Sequence, residues 1–326
     1  YSFSEKGMSA RQLKKEANGR KKEALVAPRV VSRLPVPNQA ASASARLLAR
    51  TRLEMGMIFK SPAFFVLILL GLTNSGGALW FANELYGTPS VPMTFALILP
   101  LLGSFGIIPI IIAIYFAGEL VWRDRERGMN EIIDSTALPN WAYFIPKVIA
   151  VTAVLVATLF IASLAAIFVQ LLRGYVDLEL HKYFFWFILP FAMDMLMIAI
   201  LAVFLQSLSG SKYVGWGLMA IYLVASITLV SIGFEHPLYN FGETGFVRVS
   251  DMNGTDVGGA KSWWLRLYWS GVCLILSVLS YLFWRRGVGI SIASQIRRFP
   301  SRFKGAPAGV AFAGLLVSAT SGAWLF

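Results

Sequence analysis

The stretch YFIPKVIAVTAVLVATLFIASLAAIFVQ (143–170) carries a single charge, Lys147, in an otherwise apolar run. It is longer than the ~20 apolar residues an α-helix needs to cross the hydrocarbon core of a bilayer. In lipid, a helix satisfies its own backbone hydrogen bonds, which an isolated extended segment cannot do. The stretch therefore reads as a membrane-spanning helix. Five more runs of similar character occupy 62–82, 92–116, 183–206, 213–234 and 263–284. A seventh begins near 307 and reaches the end of the chain. The fold class expected is an all-α polytopic membrane protein.

Composition agrees. The chain is 57% hydrophobic and 14% charged, with a mean hydropathy of +0.65, against about a quarter charged in a water-soluble domain. The net charge of +12 is distributed between apolar runs rather than on one soluble face, which argues against nucleic acid as a partner. Residues 1–61 hold thirteen Lys and Arg, 117–147 four, 207–212 one and 285–306 six, whereas the alternate segments hold five. The positive-inside bias then places the N-terminus and 117–142 in the cytoplasm and the 235–262 loop outside.

Residues 1–44 contain RQLKK (11–15), GRKKE (19–23), Pro35 and Pro37, and read as a basic cytoplasmic linker. The six-span body runs over 45–306. Its first element, 45–60, is amphipathic: Leu47, Leu48, Thr51, Met55, Ile58 and Phe59 share a face within about 120°, opposite Arg46, Arg50 and Lys60. Such a helix suits the membrane interface, with its bases toward lipid phosphates. A start at Tyr1 and an end inside the apolar run 307–326 read as a fragment of a longer polypeptide.

Between the second and third spans lies AGELVWRDRERGMNEIIDSTALPNW (117–141). On a helical projection Val121, Trp122, Met129, Ile132 and Ile133 share one face, and Glu119, Arg123, Glu126, Arg127, Asn130, Glu131 and Asp134 the other. Glu119–Arg123 and Arg127–Glu131 have the i,i+4 spacing of ion pairs. Leu138 and Pro139 end the element, and Asn140 is placed to cap the next helix. The segment reads either as a rigid docking surface for a cytoplasmic partner or as a solvated surface helix.

The string YFAGELVWRDRERGMNEIIDSTALPNW and the IPK that follows it (145–147) resemble the permease part of ABC-2-type transporters. More narrowly, they resemble bacterial proteins that fuse such a permease to a zinc aminopeptidase of the gluzincin type. KSPAFF (60–65), LYG (85–87), GFEHPLYNFG (233–242), SDMNG (250–254), YLFWRRG (281–287) and SGAWLF (321–326) carry the same resemblance. It implies a six-span, type V exporter-like half-transporter with an interfacial elbow helix (45–60), a cytoplasmic coupling helix and the start of a seventh span. It also implies a bacterial inner-membrane location and a separate ABC ATPase subunit, which would hold ATP and Mg. A second permease half would lie on the same polypeptide or another chain. Glu119, Arg123, Arg127, Glu131 and Asp134 match the charged positions of the coupling motif. Zinc would belong only to a peptidase beyond the seventh span, so no cofactor is expected in this chain.

Other residues bear on chemistry. Asp194 lies mid-span, where a carboxylate costs roughly 2.5–3.5 kcal/mol on insertion scales and so must face protein or water. It is either a translocation-path acid or a structural acid partnered by Gln170 or a serine. Pro100 and Pro109 interrupt the second span and make it a candidate broken helix lining a path; a kinked packing helix is the alternative. His181 and His236 lack metal-ligand spacing, and DMNGTD (251–256) lacks the acid a calcium loop needs, so a turn on Asn253-Gly254 is expected. Cys273 sits in an apolar run and reads as a packing residue. No HExxH and no Walker A sequence is present, and no catalytic residue is assigned. The region 45–82 loosely echoes 296–326. Two further functions stay open: a membrane anchor for a fused peptidase, and an ATP-independent secondary transporter.

Overall fold

The computed structural model describes residues 43–81, 84–85, 88–89, 91–134, 139–245, 247, 249–285 and 292–325. The basic linker 1–44 lies outside the described residues apart from its last two. Eleven α-helices are described: α1 (Ala43–Phe59), α2 (Pro62–Phe81), α3 (Thr94–Phe105), α4 (Ile107–Glu126), α5 (Asn130–Asp134), α6 (Trp141–Leu172), α7 (Leu180–Leu208), α8 (Lys212–Ser231), α9 (Asp256–Phe283), α10 (Ile292–Arg302) and α11 (Ala306–Leu325). A two-residue antiparallel pair, β1 (Glu84–Leu85) and β2 (Thr88–Pro89), follows α2.

Helices α2, α6, α7, α8, α9 and α11 are each long and apolar enough to cross a bilayer. The bent pair α3–α4 has the composition of one more span, with a 45° bend between its halves. The chain is thus a multi-pass helical membrane protein, with its spans where the apolar runs lie. The sixth span is the exception in its start. Helix α9 begins at Asp256 rather than 263 and takes in the end of the expected outer loop.

The bend falls at Gly106, whose N–H is bonded to Leu102 O at 3.1 Å. Three residues on, Pro109 has no N–H to offer the Phe105 carbonyl, so the ladder cannot continue across the joint. In the first turn of α4 that missing donor costs nothing. Pro100 stays inside α3, and its carbonyl accepts the Ser104 hydroxyl at 2.7 Å. In α7, the turns at Tyr183–Ile188 widen to a π-helix just ahead of Pro190. A proline ring crowds the carbonyl four residues back, which favours such widening.

The largest core cluster joins α1, α2, α4, α6, α7 and α9 around Ile58, Phe116, Val151 and Ala199. A second, around Leu97, Leu101, Leu159 and Phe187, joins α3, α6 and α7. Buried beside it, Gln170 donates to Pro92 O at 2.9 Å and accepts from Tyr183 OH at 2.9 Å. Helix α11 packs on α9 at close backbone range. A Cβ on Gly271 would meet Gly314 O at 2.6 Å and Ser318 Oγ at 2.4 Å, and Trp264 stacks on Trp324 at 4.6 Å. Small residues drive such packing in membranes, where apolar burial gives no preference between helix and lipid. Cys273 is buried in the main core.

The segment 117–141 is not one amphipathic helix. Its N-terminal half completes α4, and the chain turns at Gly128 (φ 65°) before the short α5. Gly128 N–H donates to Arg125 O at 3.0 Å and Met129 N–H to Asp124 O at 2.9 Å. This is a Schellman cap, whose left-handed residue is strained for any side chain but glycine. Residues 135–138, including Leu138, lie outside the described residues. Asn140 precedes α6 without capping it by its side chain; its amide donates to Tyr281 O at 3.0 Å instead.

Candidate functional site

Helix α4 emerges from the bundle at the end where α1, α6, α8 and α9 also present charge. Its Glu119 and Arg123 do not pair with each other. Glu119 meets Lys212 at 3.0 Å, and Glu126 meets the same Lys212 at 2.9 Å, tying α4 to the start of α8. Arg123 instead reaches Glu54 of α1 at 2.7 Å. Glu54 also receives Lys147 Nζ of α6 at 3.1 Å, and Lys147 donates to Leu120 O. Glu54 and Lys147 are each only 1% exposed. Arg50 completes the group, 3.7 Å from Glu54, 3.6 Å from Asp124 and stacked over the Tyr143 ring.

The buried face of α1 differs from the expected one accordingly. Thr51, Glu54 and Ile58 face the bundle, while Leu48 is exposed. Arg50 points to carboxylates rather than away from the protein, because two acids beside it offset its desolvation better than an interface would. The cluster clamps α1, α4 and α6 together. Three more bonds brace the same end. Trp122 Nε1 donates to Gln206 Oε1 at 2.9 Å, Arg125 to Arg285 O at 2.8 Å and Arg285 to Leu208 O at 2.9 Å. Burial lowers the Arg285 pKa from its ordinary value, yet a guanidinium stays charged at neutral pH.

The five coupling candidates thus divide. Glu119 and Arg123 hold α4 in place. The turn at Gly128 separates Arg127, just past the end of α4, from Glu131 in α5, and both are exposed. Asp134 is half-buried and lines a cavity of about 40 Å³ with Trp122, Arg125 and Arg285. Between them Met129 and Ile132 project, Ile132 being 70% exposed. The apolar face expected of one helix is split: Val121, Trp122 and Ile133 are half-buried, whereas Met129 and Ile132 stand out at the tip.

Toward the opposite end, a cleft of about 340 Å³ opens beside Asp194. Leu99, Leu102 and Gly103 of the bent span form one wall, and Phe191, Trp263 and Arg266 another. Asp194 is paired in a fork with Arg266, Nε to Oδ1 at 2.9 Å and Nη2 to Oδ2 at 2.8 Å. Arg266 also donates to Ser262 and Thr244. Gln170 and the serines expected as partners of Asp194 do not reach it; an arginine 72 residues away does. Neither Pro100 nor Pro109 lines the cleft.

Among the described residues, no three His, Cys, Asp or Glu side chains come together as a metal site would require. His236 Nδ1 accepts the Leu238 N–H. Ser250 and Gly254 close the expected turn by two backbone bonds of 2.9 and 2.8 Å, and Asp251 within it pairs with Lys182.

Sequence reasoning missed Glu54, Lys147, Lys212 and Arg266. Glu54 had a signal, as the one acid in a basic amphipathic helix. Lys147 had another, as the one charge in the run 143–170. No family model matches the chain, and no curated protein matches it.

Proposed function

We propose that the chain is the permease of an ATP-driven ABC-2-type transporter in a bacterial inner membrane, its N-terminus cytoplasmic. A separate ATPase subunit docks on Arg127–Asp134. The observation that carries this reading is the contrast between the tip and its base. Arg127, Met129, Glu131 and Ile132 are exposed, whereas the helix leading to them is tied to α1 and α6 by a buried ion cluster and to α8 by part-exposed pairs with Lys212. A push at the tip would therefore reach three other helices rather than be lost in a flexible loop. A second permease half, upstream or on another chain, completes the transporter.

The test is co-purification of an ATPase subunit with the full protein carrying Arg127→Glu and Glu131→Lys together. Both residues are exposed, so the fold should survive. ATPase recovery is expected to fall at least tenfold at unchanged melting temperature. Full recovery would sink the docking role.

The cleft at Asp194 supports a second reading, an ATP-independent secondary transporter, because intramembrane acids near broken helices mark ion and substrate paths. Transport by the purified chain in vesicles without nucleotide would favour it over the first.

A further inference from the structure

Helix α10 stands at the same end of the bundle as the ion cluster, between the end of α9 and the start of α11. Its sequence, IASQIRRFPSR, is strongly two-faced. At 100° per residue, Ile296, Phe299 and Phe303 fall within about 60° of one another. Arg297 flanks that stripe on one side and Arg302 on the other, and Lys304 follows just past the end of the helix. Phe303 belongs to the same surface, since its N–H continues the helical ladder to Phe299 O at 2.9 Å.

The stripe is only partly used by the protein. Phe299, like Tyr281, packs against the cluster of Val278, Leu282 and Ala311, at the adjoining ends of α9 and α11. Ile296 remains 56% exposed and Phe303 37%. None of the ion pairs among the described residues involves Arg297, Arg302 or Lys304. Helix α1, also an amphipathic helix before a 20-residue span, is the contrast. It turns Arg50 toward protein carboxylates, whereas α10 leaves its bases to the surroundings.

We infer that α10 is a lipid-surface element that recognises anionic phospholipid headgroups. Ile296 and Phe303 would enter the acyl boundary while Arg297, Arg302 and Lys304 meet the phosphates. A helix with a narrow apolar stripe flanked by bases, fixed between two span ends, has the geometry of an interfacial helix. Each base near an anionic surface contributes about 1 kcal/mol, or roughly fivefold in partitioning, so three give on the order of a hundredfold. The inference does not depend on whether the protein transports anything.

The test is hydrogen–deuterium exchange on the full chain in nanodiscs. One set is phosphatidylcholine alone, and the other contains phosphatidylglycerol as a third of the lipid. Amides over 292–304 are expected to exchange at least tenfold more slowly in the anionic discs, and 0.5 M salt should remove the difference. The triple variant Arg297→Gln, Arg302→Gln, Lys304→Gln should exchange alike in both discs. Its α6 amides serve as the folding control and should be unchanged. Equal exchange of the unmodified chain in both discs would overturn the inference and leave the basic face to a protein partner or to topology alone. Retention of the difference in the triple variant would overturn it equally.

Discussion

Replacing Glu54 by Gln is the sharpest probe of the cluster at the base of α4. Glutamine keeps the shape and removes one charge. Lys147 would then be left 1% exposed, with the Leu120 carbonyl and Asp124 at 3.8 Å as its remaining support. Arg123, 2.7 Å from the same carboxylate, would lose its opposite charge as well. Breaking one side of a buried pair costs about 3–5 kcal/mol, because the other charge stays desolvated. Both Glu54 and Lys147 are fully enclosed, so solvent screening takes little from that figure. In a protein of this size the apparent melting temperature should fall by on the order of 10 °C. The assay is a thermal melt of the purified protein in detergent, followed by tryptophan fluorescence. The partner experiment is the double variant Glu54→Gln, Lys147→Met, which removes the stranded charge. It should recover much of the loss, since neutral side chains of similar volume often replace a buried pair without penalty. A single Glu54→Gln variant that melts with the unmodified chain would refute the reasoning. So would a double variant whose loss is the sum of the two single losses, because the pair would then carry no coupling.

The Asp194–Arg266 fork yields a similar test at the other end. Asp194→Asn should destabilise by about 3 kcal/mol, and Asp194→Leu with Arg266→Met should restore much of it in the same melt. If Asp194 also serves transport, substrate-dependent ATPase activity of the complex falls in both; unchanged activity with normal expression would remove it from the mechanism. Gly271→Val should loosen α11 from α9 at a cost of about 1–3 kcal/mol, since its Cβ would stand 2.6 Å from Gly314 O. Faster proteolysis of 303–306, between α10 and α11, would register it, and an unaltered digest would contradict the close packing described.

The spans were readable because hydropathy is a local sum. A run such as 143–170 needs no knowledge of its neighbours to be too apolar for water. The turn at Gly128 was also readable in principle. An arginine-rich last turn followed by glycine is a helix stop signal, but the i,i+4 charge spacing across it favours continuity. The charge partners were not readable. Arg123 had an acid four residues before it and took one 69 residues away. Asp194 had Gln170 and serines within reach of its helix and took Arg266.

What the sequence by itself determined is a polytopic helical membrane protein, with spans close to where they stand. Tertiary structure alone decided which charges are brought together: Glu54 with Lys147 and Arg123, Lys212 with two acids of α4, Asp194 with Arg266. The physical reason is that an apolar residue is equally content against any apolar neighbour or lipid tail. A desolvated charge needs one partner at hydrogen-bond distance, and only the packing of the helices determines which one arrives.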